Sequence, residues 1–240
     1  MGSNTAEKQK QFKSAMELYE SKNIYKLFGK GISIVNISLQ LILAYMILPI
    51  NIGLWRQIFS FVLAFIFTDF INGLVHMYMD NNDNYDSVTG PLIASFHLHH
   101  KTPLYKKNHI FIVYFNESGS KIWLAGFLII AVLMVGMLRI NPVVSYILLY
   151  FSILSSVAEV SHYLCHVSNS RVVDIFRKIR ILLNKRHHGR HHVEDNVNYA
   201  FLNGLSDPII NIIAKKLYPG YKNTTDLHYA YYDGRGTTNR

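Results

Sequence analysis

The residues in this chain that could do chemistry are its histidines, twelve among 240. His76 is followed four positions later by Asp80, and His162 by His166. Residues four apart share a helix face, so each pair points one way. In His188-x-x-His191-His192, all three imidazoles fall on one side of a helix. His97, His99, His100 and His109 lie in one polar stretch, and His187 precedes the last group. Neutral imidazole suits iron, zinc, copper and nickel. The spacing therefore predicts eight metal ligands: His76, His99, His100, His162, His166, His188, His191 and His192. That is enough for two ions. Asp80, His109 and His187 are further candidates as ligands or their neighbours. His97 and His228 read as ordinary amphipathic residues at an interface. A single cysteine, Cys165, excludes a disulfide framework and a Cys-based zinc module. The H-E-x-x-H pattern of zinc hydrolases is absent.

Apolar segments must hold these groups in place. Half of the residues are hydrophobic and 16% are charged, against about 25% charged in a typical soluble domain. A membrane-spanning helix needs about 20 largely apolar residues. Four stretches qualify, at 31–50, 54–78, 122–140 and 143–162. Short connections at Asn51–Gly53 and Asn141–Pro142 make two antiparallel hairpins. Only Arg56 and Arg139 lie near these connections, leaving 22 of the 24 basic residues in the N-terminal segment, the middle loop and the tail. That asymmetry puts those three segments on the cytoplasmic side. It also explains the net charge of +9 by attraction to anionic lipid rather than to nucleic acid. The first 30 residues carry six lysines and no apolar core, so no cleavable signal is expected. Residues 171–183 and the stretch after Asp207-Pro208 have one apolar face and read as interfacial helices. The fold class is thus an all-α polytopic membrane protein. It has four transmembrane helices and a histidine-rich cytoplasmic cap (79–121 and 167–218), all in one domain.

Two acids lie inside the apolar stretches. Asp69 is seven residues before His76, and Glu159 three before His162. Carboxylates in lipid are costly and usually face a polar interior. Both are expected to orient imidazoles by accepting their second N–H.

Four of these strings resemble the boxes of one family. They are Asp69 to His76 with Asp80, Phe96-x-x-His99-His100-x-x-Pro103, His162-x-x-x-His166, and His187-His188-x-x-His191-His192 followed by Tyr199. The chain is similar over roughly residues 65–210 to the membrane lipid desaturases typified by plasmanylethanolamine desaturase and the chloroplast phosphatidylglycerol palmitate trans-3 desaturase. The resemblance implies two iron ions in a non-haem centre, dioxygen as co-substrate and a membrane phospholipid as substrate. It also implies an outside electron donor, a b-type cytochrome or a ferredoxin. Removing hydrogen from an unactivated alkyl chain needs an oxidant that side chains alone do not supply. No dinucleotide fingerprint occurs, so the reductant is a separate protein. The lipid headgroup is expected to meet Lys101, Lys106 and Lys107. Its chain is expected to pass the small residues Gly73 and Ser161. A di-iron lipid hydroxylase shares the first hydrogen abstraction and is the alternative. A divalent-metal transporter would place ligands at mid-membrane instead.

Overall fold

A computed structural model describes residues 2–101, 108–218 and 220–232. Among them the chain is helical, with no strand. In chain order the helices are α1 (Gly2–Ser21), α2 (Asn23–Ile47), α3 (Leu54–Asn81), α4 (Gly90–Lys101), α5 (Ile110–Ser118) and α6 (Ile122–Met137). They continue as α7 (Pro142–Val167), α8 (Arg171–Lys178), α9 (Lys185–His191), α10 (Asp207–Leu217) and α11 (Thr225–Tyr229).

Three helices are long and apolar enough to cross a membrane: α2, α3 and α7. Their starts follow from the turns before them. The Asn51 side chain accepts from Gly53 N at 2.9 Å, closing the turn into α3. Asn141 caps α7, accepting from Val143 N at 2.9 Å, with Pro142 in the first turn, where it loses no hydrogen bond. On α2 the buried positions are Ser33, Asn36, Gln40, Leu43 and Ile47, a helical stripe. Ile34, Leu41, Ile42 and Tyr45 on the same helix are exposed. An outward face that apolar is suited to lipid.

The predicted third span maps onto a shorter helix, α6. α6 holds 16 residues, about 24 Å of helix, against a hydrocarbon core about 30 Å thick. It is joined to α5 through an 86° bend, and a fourth crossing exists only if this bent pair counts as one. The apolar run from Ile110 is short, and Asn116, Glu117, Ser118 and Lys121 make it read as a loop. At the bend the carbonyls of Ser118 and Lys121 keep short-range backbone donors, Lys121 N at 3.2 Å and Leu124 N at 3.1 Å. Asn36 of α2 adds a second donor to each, its Nδ2 donating to Ser118 O at 2.9 Å and Lys121 O at 3.2 Å. The span predicted from residue 31 begins earlier, at Asn23.

The apolar core of the spans is Leu43 and Ile47 of α2, Leu124, Leu128 and Ala131 of α6, and Tyr146 and Leu149 of α7. α3 packs along α7. A separate cluster of Phe12, Ala15, Met16, Tyr85, Ile93, Ala94 and Tyr229 joins α1, α4 and α11. α4 is thereby fixed beside the end of α3, and its histidines with it.

Candidate metal centre

The last two turns of α3 and α7, the end of α4 and the whole of α9 meet at one place. α9 is set by Asn184, whose side chain accepts from Arg186 N at 2.9 Å and His187 N at 3.3 Å. All eight predicted imidazoles converge there. Ring centroids of His76 and His191 are 4.7 Å apart, those of His99 and His100 4.2 Å, and those of His100 and His192 5.0 Å. His162 and His188 are 4.6 Å apart, and His166 and His192 5.2 Å.

Two groups form within this cluster. In the first, His162, His166, His188 and His192 converge. Their Nε2 atoms are 3.0 Å apart for His162–His188, 3.2 Å for His166–His162, 3.1 Å for His188–His166 and 3.0 Å for His192–His188. Each Nε2 carries either a proton or a lone pair. Among three in mutual contact at least two are alike, and that pair repels. A cation between them removes the conflict. Nitrogens about 2.1 Å from one ion at near-right angles stand about 3 Å apart, so the spacing fits.

In the second group, Asp80 sits among three imidazoles. Its Oδ1 lies 3.0 Å from His100 Nε2 and 3.5 Å from His76 Nε2, and its Oδ2 lies 3.2 Å from His191 Nε2. The tautomers of two of these rings follow from their other nitrogen. His76 Nδ1 donates to Tyr199 O at 2.7 Å, and His191 Nδ1 donates to Val197 O at 3.0 Å. In the neutral ring, the form that binds a metal, both Nε2 lone pairs then face a carboxylate, which is repulsive unless a cation lies among them. Asn196 and Asn198 adopt φ of 55° and 61°, and this turn brings the two carbonyls to the rings. Asparagine tolerates that conformation better than most residues. His99 lies between the groups, its centroid 5.9 Å from His76 and 5.6 Å from His162. Its Nδ1 donates to Phe96 O at 2.5 Å, and its buried Nε2 has no hydrogen-bond partner among the described residues. Burial pushes His99 down to about 3 and His192 to about 2, and holds His100 and His188 well below the imidazole range. These rings are thus neutral near pH 7, the form that binds a metal.

A family model for the lipid desaturase domain matches residues 65–216, well over half of the chain. The chain belongs to that family. The matched stretch of this lipid desaturase runs from within α3 to within α10 and contains all eight imidazoles and Asp80. Membership implies an oxidoreductase that desaturates lipid. No curated protein and no solved structure matches the chain.

Several expected roles fall elsewhere in this desaturase. Asp69 orients no imidazole. Its carboxylate accepts from Asn203 N at 2.9 Å, Gly204 N at 3.2 Å, Ser206 N at 2.9 Å and Ser206 Oγ at 2.6 Å. It folds the loop that carries Phe201 against the centre. Asp69→Ala strands those donors in a buried site, at about 1–3 kcal/mol each. The expected result is a large drop in the unfolding temperature, measured in detergent. Glu159 also misses the imidazoles and pairs with Lys121 at 3.1 Å. His187 turns away to Asp207, at 2.6 Å. His109 is exposed and sits at the N-cap of α5. Lys101 donates to Tyr232 O at 2.6 Å, while Pro103, Lys106 and Lys107 lie outside the described residues.

Gly73 and Ser161 do not open a lipid path. A Cβ on Gly73 would strike Ile210 Cδ1 and stand 3.1 Å from Ala200 Cα. Ser161 is buried, donating to Leu202 O at 2.6 Å and accepting from Leu183 N at 2.9 Å. Small residues serve close packing here. Gly73→Ala is accordingly expected to lower stability by about 1–3 kcal/mol through overpacking. Product chain length, read by lipid mass spectrometry, should stay the same.

No spacing or motif points to Phe201, yet it touches the centre. Its ring centroid lies 5.4 Å from His76 and 5.6 Å from His162. Lys121 Nζ stands 4.7 Å above the same ring.

Proposed function

We propose that this chain is a dioxygen-dependent, non-haem di-iron desaturase that places a double bond in an alkyl or acyl chain of a membrane phospholipid. The observation that carries this reading is the pair of adjacent groups of converging imidazoles, one around Asp80, in a lipid desaturase domain. His162, His166, His188 and His192 would hold one ion, and His76, Asp80, His100 and His191 the other, with His99 able to serve either. Iron bound there would supply, with dioxygen, the oxidising power that side chains lack. The carbonyls of Tyr199, Val197 and Phe96 hold three imidazoles with a lone pair turned inward. Phe201 covers the rings of His76 and His162 and keeps that side of the site apolar.

The imidazoles end their helices rather than sitting at mid-span, which suits a site at the membrane rim. In our reading that rim and both termini face the cytoplasm. There a b-type cytochrome or a ferredoxin delivers electrons. Exposed Val172 and Ile175 of α8, Ile179 just after it, and Ile209 and Ile212 of α10 support an interfacial placement of these helices.

The test is lipid mass spectrometry of cells with and without the protein, paired with metal analysis of the purified chain. A phospholipid lighter by two hydrogens, lost in His162→Ala, is the expected result. A product heavier by one oxygen would make the enzyme a hydroxylase. Zinc as the sole metal, with product unchanged on iron removal, would overturn the reading.

A further inference from the structure

A second polar site lies on another side of α9 from the imidazoles. α8 and α10 flank a cleft of about 390 Å³, lined in part by Arg177, Lys178, Arg180, His187, Asn203 and Asp207. Lys178 and Arg180 are exposed, and among the described residues neither has an acidic partner. Arg177 is buried. Its guanidinium is already engaged, donating to Asp174 Oδ1 at 2.5 Å, Leu164 O at 2.6 Å and Ser168 O at 3.2 Å. The one carboxylate in the wall is already engaged. Asp207 Oδ2 lies 2.6 Å from His187 Nε2, and Oδ1 accepts from Ala200 N at 2.8 Å.

The cleft therefore offers two exposed cations, Lys178 and Arg180, whose charge the engaged carboxylate in the wall does not answer. That is a demand for an anion with several oxygens. Arg180 adds to the argument. It follows α8 with φ of 57°, where a helix end ordinarily has glycine, yet it carries a cation to the cleft. The flanks are apolar: Ile175 and Ile179 are exposed on one side, and Leu205 and Ile209 on the other. A carboxylate has fewer oxygens to answer these donors, and a free ion has no use for the apolar flanks. We infer that this cleft binds a phosphate group, the headgroup phosphate of a membrane phospholipid. The inference does not rest on the desaturase reading, because no proposed metal ligand lines the cleft.

The test is calorimetric titration of the intact purified protein with dihexanoyl phosphatidylglycerol, and separately with inorganic phosphate. The variant is Lys178→Gln with Arg180→Gly. It removes both free cations and relieves the left-handed backbone at 180, so it should fold. The control is Lys215→Gln with Lys216→Gln, an equal loss of charge outside the cleft. Saturable binding of the lipid, weakened at least tenfold in the cleft variant and less than twofold in the control, is the expected result. Inorganic phosphate binding as tightly as the lipid, with the same sensitivity, keeps the phosphate site but overturns the lipid as its source. No binding of either probe, or equal weakening in both variants, overturns the site.

Discussion

Asp80→Asn is expected to lower bound iron toward one ion per chain and to cut alkene formation by more than about 100-fold. That factor is the upper end of what groups merely supporting a ligand contribute, and Asp80 stands among the ligands. The substitution keeps shape and removes charge. Its distinguishing feature is the sign of its effect on the metal-free protein. In the neutral, metal-binding form the lone pairs of His76 and His191 face Asp80 at 3.5 Å and 3.2 Å. An asparagine amide can donate to such lone pairs, where a carboxylate repels them. The metal-free variant should therefore be at least as stable as the metal-free parent. If Asp80 instead formed salt bridges with protonated imidazoles, the same change would leave buried positive charge and destabilise the fold. Metal analysis with thermal unfolding separates the two. Full iron content together with reduced stability would refute the metal role.

The eight imidazoles are legible in the sequence because a four-residue spacing survives any arrangement of the surrounding chain. It places His162 with His166, and His188 with His192, before anything is known of the fold. What the spacing does not carry is the partner of each ring's other nitrogen. Those partners are backbone carbonyls of Phe96, Val197 and Tyr199, and every residue has a carbonyl. Asp69 and Glu159 depart from their expected roles for a related reason. Helical periodicity puts them near the histidine face, but it does not say which donor reaches them first. For Asp69 that donor is a loop more than a hundred residues away in sequence. The bend between α5 and α6 is hidden because polar residues at a break and polar residues in a loop look alike. Asn36, which ties the carbonyls at the bend to α2, reads in the sequence as one polar residue in an apolar run.

Lys121→Met is expected to destabilise the protein by about 3–5 kcal/mol, the usual cost of breaking a buried ion pair from one side. Lys121 is 3% exposed. Its ammonium meets Glu159 at 3.1 Å and also Asn72 Oδ1. With the lysine gone, Glu159 loses its cation while Glu117 stays close enough to repel it. The double variant Lys121→Met with Glu159→Gln should regain much of the loss, since a neutral pair leaves no uncompensated charge. The reverse single change, Glu159→Gln, strands the ammonium and should cost a similar amount. The pair also reaches the metal centre. Lys121 Nζ lies over Phe201, whose ring packs on His76 of α3 and His162 of α7. The same lysine stands at the bend between α5 and α6, so one side chain ties the broken segment to the two spans that carry the imidazoles. Thermal unfolding of the three variants in detergent tests this directly. A double variant no more stable than Lys121→Met would mean that the ammonium acts through Phe201 and Asn72 rather than through Glu159.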